Sequence, residues 1–499
     1  MWKRRWALIF LAVAALRIAS TYTTFSEGID EPIHLASGLQ IFQEHRYLMQ
    51  PGNPPLPRFC FALGPWLDGV RLEAFDMRIH LHPQFVFQSG RGYRRTLVLA
   101  RIGNLIFFLI AALAAWSWAR REAGEGAGLA TMFLFTTQPV ILGWSGLITQ
   151  DMAATAGVAA GIVALMRWLE RPTTLRAFVA GAAYGLAIAC KFSCIPYLPV
   201  ACIAILLVRR PPIAWRTVVV MPLGTALAIW AAYGFSIGEL SPWFHLGTPV
   251  PAPRFIEGLV TMISINRTGI PSFLFGKTST TGWWWYFPAA IGLKTTLPFL
   301  ILLIAGVFVR PGRAFVEAIA AAAAMLAVAM TSPLDVGIRY VLPVFVPLSV
   351  AGGMALVSAL GTRHAAPRVV AAVMMCWQVA VSAAAHPDYF PYFNALAGKD
   401  PSRYLVDSNL DWGQDVLRLA TTAQRLRIPR LGVALFSNAD FDALHLPPHY
   451  RPGAFVPVTG WIAVSDHVYR MDGANGGWRW LEQRPYRRIG KSIRLYDLQ

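Results

Sequence analysis

Residues 29–58 read IDEPIHLASGLQIFQEHRYLMQPGNPPLPR, and the fold turns on how this stretch is taken. A first apolar segment ends just before it. Asp30, Glu31 and His34 crowd its start, and Asn53-Pro54-Pro55-Leu56 turns the chain near its end. Asp30 stands where a helix N-cap would, with Pro32 in the first turn, and a helix would bring His34 beside Asp30 at i+4. One reading is a carboxylate that tidies a helix end beside a membrane. The other is an acid group held for chemistry, and the rest of the chain decides between them.

Hydrophobic residues make up 56% of the chain and charged residues only 14%, with a mean hydropathy of +0.47. Soluble chains carry about 25% charged residues, so this composition is that of a polytopic α-helical membrane protein. The formal charge of +18 comes from short basic clusters between apolar runs. Such clusters set topology, whereas a nucleic-acid-binding face needs a continuous basic stripe or a reading motif, so nucleic acid is excluded as a partner. Cys60, Cys190, Cys194, Cys202 and Cys376 form neither a disulfide framework nor a zinc pattern. Residues 1–20 begin like a signal peptide. Leu16-Arg17-Ile18-Ala19-Ser20 lacks a small-x-small cleavage site, however, and further spans follow, so this segment reads as a retained first helix.

Spans are expected near 6–24, 98–119, 127–147, 152–168, 177–190, 195–208, 217–235, 286–309, 314–331, 340–360 and 368–385, about eleven in all. Every second connection is basic: Lys3-Arg4-Arg5, Arg120-Arg121, Arg167 to Arg176, Arg209-Arg210, Arg310 to Arg313 and Arg363 to Arg368. The positive-inside rule puts these in the cytoplasm with the N-terminus. The Asp30 loop, the turn at Gln150-Asp151, residues 236–285, the turn Ser332 to Arg339 and the C-terminal tail then face outward. The outer loops 25–97 and 236–285 contain amphipathic pieces, Leu35 to Phe42 and Phe255 to Ile265, of the kind that lie along a membrane surface. Trp283-Trp284-Trp285-Tyr286 reads as an interfacial aromatic belt, or else as a surface that stacks on a sugar or lipid. Composition shifts near residue 387, dividing the chain into a membrane domain (1–386) and a small outer α/β domain (387–499). In that tail, strands are expected at Tyr404 to Val406, Arg430 to Phe436, Gly460 to Val464 and Ser492 to Tyr496, with a helix at Gln414 to Leu426.

Ionisable groups at membrane depth are functional candidates by default. Asp30, Glu31 and Asp151 fall on the outer side, and so do Arg58, Arg101, Lys191, Lys294 and Arg339. Arg101 and Arg339 can also be read as snorkelling to the interface, whereas Lys294, well inside a span, needs a partner or an anionic ligand. Carboxylates beside cations suit one reaction: Lys and Arg hold a lipid phosphate as leaving group while an Asp takes a proton from an acceptor hydroxyl. A divalent ion shared by Asp30, Glu31 and Asp151 is compatible with this pattern but not required by it. The polar run Asp407 to Asp415 reads either as acceptor recognition or oxygen ligands, or as the capped start of a helix. His80-Leu81-His82 lacks a third metal ligand.

Asp30-Glu31-Pro32-Ile33-His34 followed by Asn53-Pro54-Pro55-Leu56 resembles the first outer loop of membrane glycosyltransferases with the C-type (GT-C) fold. These are the protein O-mannosyltransferase and aminoarabinose-transferase relatives that use polyprenyl-phosphate sugars. Further segments resemble a bacterial branch of that group: Lys191-Phe192-Ser193, Tyr286-Phe287-Pro288 to Lys294-Thr295, Gly337-Ile338-Arg339-Tyr340-Val341-Leu342-Pro343, and Leu405 to Asp415. The resemblance implies a polyprenyl-phosphate sugar donor, a protein, lipid or glycan acceptor, and work on the outer face of a bacterial plasma membrane. It implies Asp30 as catalytic base, Glu31 as its neighbour and Asp151 as a second outer acid. Lys191, Lys294 and Arg339, with His34, Arg58 and Arg101 near them, become the candidates for binding substrate and lipid phosphate. Relatives commonly have His before the Pro-Pro pair, where this chain has Asn53. The rival readings are a lipid flippase, which the lack of an internal repeat disfavours, and a non-catalytic receptor, in which Asp30 and Glu31 would be dispensable.

Overall fold

The computed structural model describes residues 2–72, 83–88, 90–240, 248–309 and 312–498. His80-Leu81-His82 and Arg310 lie outside the described residues. In chain order the helices are α1 (Trp2–Ala19), α2 (Glu31–Glu44), α3 (Leu56–Leu67), α4 (Tyr93–Thr136), α5 (Pro139–Ser145), α6 (Gln150–Glu170), α7 (Thr174–Cys190) and α8 (Cys194–Arg209). Then come α9 (Trp215–Ala232), α10 (Pro253–Thr268), α11 (Tyr286–Lys294), α12 (Leu297–Val309), α13 (Arg313–Ala329), α14 (Ile338–Gly361, opening as a 3-10 turn) and α15 (Ala365–Ala384). Among the described residues five of these are long and apolar enough to cross a membrane, or six if the bent pair α11 and α12 is one span. This is a multi-pass membrane protein.

The expected spans fall on helices, but several are interrupted. Within α4, Ala123 (φ −139°) and Gly124 (φ 83°) leave helical geometry, and only glycine takes the second conformation without strain. The chain reverses there, because Phe108 stacks on Phe135 at 6.2 Å, residues that one straight helix would hold about 40 Å apart. The expected span 127–147 is cut at Thr137-Gln138, and 286–309 is bent by 115° between α11 and α12. Asn394 makes that second break tolerable. Its Nδ2 donates to the carbonyls of Gly292 (2.6 Å) and Thr295 (2.8 Å), which the helix no longer satisfies. Segment α2 is no surface helix either: every residue from Glu31 to Ile41 is buried.

Charged groups sort to two ends of the helices. At one end Arg4 pairs with Glu125, Arg121 with Glu170, and Arg209 with Glu122 and Glu317. At the other lie Asp30, Asp151, Lys191 and Arg339, and α6 runs from Asp151 to Glu170 between the two.

The tail carries helices α16 (Val416–Arg425) and α17 (Asp466–Gly473) and a five-stranded sheet. Short hairpins upstream supply β1 (Ile237–Gly238) to β4 (Lys277–Ser279). The sheet contains β5 (Leu431–Ala434), β6 (His449–Tyr450), β7 (Gly460–Ser465), β8 (Arg487–Ile489) and β9 (Ile493–Leu498), in the order β6-β5-β7-β9-β8. Strand β5 is parallel to β6 and β7, and β9 is antiparallel to β7 and β8. Val416, Leu419 and Ala423 of α16 pack on Leu431, Val433 and Leu495. Tyr404 to Val406 is not a strand. Leu405 packs into the core of the helical part, as do Tyr389, Phe390 and Trp412, and these contacts take the segment away from the sheet.

Candidate active site

Asp30 occupies the N-cap position of α2, yet its side chain makes no cap hydrogen bond. Its Oδ2 instead accepts from Arg339 Nη1 at 2.7 Å, across 309 residues of chain. That contact removes the helix-cap reading. Arg339 follows Gly337, whose φ of 151° suits glycine and where an added Cβ would stand 2.0 Å from Ser408 Oγ. The guanidinium lies over the rings of Trp412 (5.0 Å), Tyr340 (5.5 Å) and Trp144 (5.8 Å), and its Nε is buried without a partner among the described residues.

The polar run Asp407 to Asp415 holds both members of this pair in position. Asn409 Oδ1 accepts from the Ile338 N–H (2.9 Å), its Nδ2 donates to Tyr286 Oη (2.8 Å), and Ser408 Oγ donates to the Val336 carbonyl. On the other side, Ile29 N–H donates to the Trp412 carbonyl (3.2 Å) and Ser26 Oγ to the Gly413 carbonyl (2.8 Å). Sequence reading left this run open between ligand and helix cap. It is a brace for the Asp30 loop and the Arg339 turn, and helix α16 starts only after it.

Lys191 sits in extended backbone between α7 and α8. Its Nζ pairs with the buried Asp151 carboxylate and lies 4.3 Å from the Tyr340 ring centroid. Asp151, Lys191, Tyr340, Arg339 and Asp30 therefore form one continuous cluster. Arg58 adds a cation that has no carboxylate partner among the described residues: Nη1 and Nη2 donate to the carbonyls of Met49 (3.0 Å) and Gln50 (3.3 Å). Burial pushes His34 down to about 3, and the Arg58 charge adds to this, so the imidazole is neutral at pH 7; its Nδ1 has no partner among the described residues. Burial alone would raise the Asp30 carboxyl, but the cations beside it, Arg339 foremost and Lys191 after it, outweigh burial and hold the group below the usual carboxylate range. Arg339 and Lys191 are each paired with one carboxylate, Asp30 and Asp151, whereas the Arg58 guanidinium rests on carbonyls.

A cavity of about 600 Å³ opens from this cluster. Asn53, Lys191 and Tyr340 stand at its polar end, and Tyr197, Met262, Ile263 and Val328 line its apolar length.

Glu31 and Arg101 are not part of the cluster. Both are fully buried, and Glu31 accepts from Arg101 Nε (3.0 Å) and Nη2 (2.7 Å), Gly28 N–H (2.7 Å) and Ile148 N–H (2.8 Å). Arg101 also donates to the carbonyls of Tyr22, Phe25 and Ser26. Lys294 is turned away from the Asp30 cluster as well: Nζ donates to the carbonyls of Phe390 (2.9 Å) and Asn409. With the Glu31 oxygens saturated by donors, Asp30, Glu31 and Asp151 do not fit a shared divalent ion. Among the described residues no three His, Cys, Asp or Glu side chains are grouped to hold one. Sequence reading gave no role to Tyr340, Trp144 or Trp412; only the place of Tyr340 directly after Arg339 pointed to it.

A helical membrane bundle with this cluster at one end and a small sheet over it has the C-type membrane glycosyltransferase fold, as comparison with known proteins bears out. Residues 94–233 match the family described as dolichyl-phosphate-mannose-protein mannosyltransferase. The chain is similar to ArnT from Cupriavidus metallidurans bound to undecaprenyl phosphate, with a TM-score of 0.53 and 16% identity, covering 98% of this chain and 97% of that one. It is also similar to the archaeal oligosaccharyltransferase AglB from Archaeoglobus fulgidus, solved with an inhibitory peptide and a dolichol-phosphate. There the TM-score is 0.54 and the identity 13%, covering 97% of this chain and 73% of that one. No curated protein matches the chain in sequence.

Proposed function

We propose that this protein is a membrane glycosyltransferase that moves a sugar from a polyprenyl-phosphate donor to an acceptor hydroxyl, on the outer face of a bacterial plasma membrane. One observation carries the reading: an ionised Asp30, turned off its own helix onto Arg339, belongs to a charged cluster whose members Lys191 and Tyr340 line an apolar groove. An isoprenoid tail suits that groove, and its phosphate suits the guanidinium and ammonium groups of Lys191, Arg339 and Arg58. ArnT and AglB, solved with undecaprenyl phosphate and a dolichol-phosphate, lend the same ligand class.

In the reaction Asp30 takes the proton of the acceptor hydroxyl while its oxygen bonds to the anomeric carbon. The bond from that carbon to the phosphate oxygen breaks, and its electron pair leaves on the polyprenyl phosphate, which the cations stabilise. Attack opposite the leaving group inverts the anomeric centre. Asp151 orients Lys191. Glu31 and Arg101 are positioning residues that hold the loop bearing Asp30, and Lys294 is one that holds the Asn409 brace. We assign the basic end to the cytoplasm by the positive-inside rule. The division into a membrane domain (1–386) and an outer domain (387–499) belongs to the same proposal.

The test is turnover by the purified protein of undecaprenyl phosphates carrying different hexoses and pentoses. Free lipid phosphate and an inverted sugar product from at least one donor are expected. Tight binding of every donor with release of none would instead favour a lipid transporter.

A further inference from the structure

In an open α/β sheet the chain leaves the carboxyl ends of parallel strands toward different sides, and the crevice left there is where ligands lodge. Strand β5 is flanked by parallel neighbours on both sides, and such a crevice, of about 430 Å³, lies at its carboxyl end. The rings of Phe436, Phe441 and Tyr450 line it, together with the polar side chains of Asn438, His449 and Arg451. Ile29 also contributes to its wall, and Asn438 Nδ2 donates to the Ile29 carbonyl at 3.3 Å. Asp30 is therefore one residue from this crevice. The crevice shares no lining residue with the apolar groove that begins at Lys191. The proposed base thus sits between two separate cavities: its chain neighbour Ile29 lines the aromatic and polar one, and Tyr340, next to its partner Arg339, lines the apolar one.

We propose that the crevice binds the acceptor and that the acceptor is a glycan, an inference that rests on the transferase reading. The C–H faces of a sugar ring match aromatic side chains. Its hydroxyls match an amide, an imidazole and a guanidinium, each of which can donate to or bridge vicinal oxygens. Arg451 is exposed and makes no ion pair among the described residues, so its donors are free. No carboxylate lines the crevice to select a cationic ligand. A peptide added as an extra strand would need a longer edge than β6, which is two residues long.

The experiment uses the full chain in nanodiscs with Asp30→Asn to block turnover. Saturation-transfer NMR is recorded with maltose, lactose, mannobiose and a Ser/Thr-rich peptide as probes. Ring-proton signals from at least one disaccharide are expected. Adding Tyr450→Ala or Arg451→Ala should weaken that binding about tenfold. Arg451→Ala removes only an exposed side chain, so its loss of binding cannot be laid to misfolding. In the active protein, Arg451→Ala should raise KM for the glycan acceptor with kcat nearly unchanged. Disaccharide binding that survives both substitutions, or binding of the peptide alone, would overturn the proposal. Disaccharide binding lost in both variants, without turnover of any donor, would leave the glycan site standing and overturn the transferase reading.

Discussion

Asp30 and His34 are one helical turn apart and meet opposite electrostatic fates. Cations keep Asp30 below the usual carboxylate range, while burial and Arg58 keep His34 uncharged. The group beside them that titrates near neutrality is Asp407, which burial raises to about 6 against the pull of Arg339. It carries its proton below that pH and adds a negative charge near Arg339 above it. KM for the lipid-phosphate donor should therefore rise as pH increases through about 6, read from initial rates between pH 5 and 8. Asp407→Asn should abolish the rise and His34→Gln should keep it; the reverse pattern would make His34 the titrating group. Sequence singled out Asp30, Asp151, Lys191 and Arg339, because charge at membrane depth is costly wherever it stands. It could not separate them from Glu31, Arg101 and Lys294, since type and depth are alike and only the partners differ.

At the scale of elements, the Glu31–Arg101 pair fastens the loop 22–28 to α4 and to the turn at Ile148. Removing one member leaves an uncompensated buried charge, so Glu31→Gln should cost about 3–5 kcal/mol of stability. Replacing both residues by Met should recover little of that loss, because it orphans the N–H groups of Gly28 and Ile148 and the carbonyls of Tyr22, Phe25 and Ser26, as thermal unfolding of the purified protein would record; an unchanged melting temperature in Glu31→Gln would contradict the role. The helices themselves were legible, because apolar runs bounded by basic clusters leave little else for a chain to do in lipid. Their breaks were not. The bend after Lys294 depends on Asn394 reaching two freed carbonyls, a contact across about a hundred residues. In the tail, β5, β7 and β9 were readable as apolar runs. Tyr404 to Val406 had the same pattern but is buried against helices, and β6 and β8 are too short to carry a signal.

For the whole molecule, the basic clusters foretold which loops would gather, and the charged groups do sort to two ends. The apolar groove was hidden, since its walls come from residues 52 to 340 and no local pattern encodes it. The brace at 407–415 was hidden for the same reason: it bonds to the loop at 26–29 and the turn at 336–338 at once. All of these parts meet around Asp30, the proposed proton acceptor. The most direct test compares sugar release by the wild type and Asp30→Asn, with undecaprenyl phosphate binding measured on the same preparations. The substitution should leave lipid-phosphate binding at least as tight, since Arg339 loses a competing carboxylate, while release falls by about 10²–10⁴-fold. Release at the wild-type rate from the variant would contradict the role of Asp30 as base.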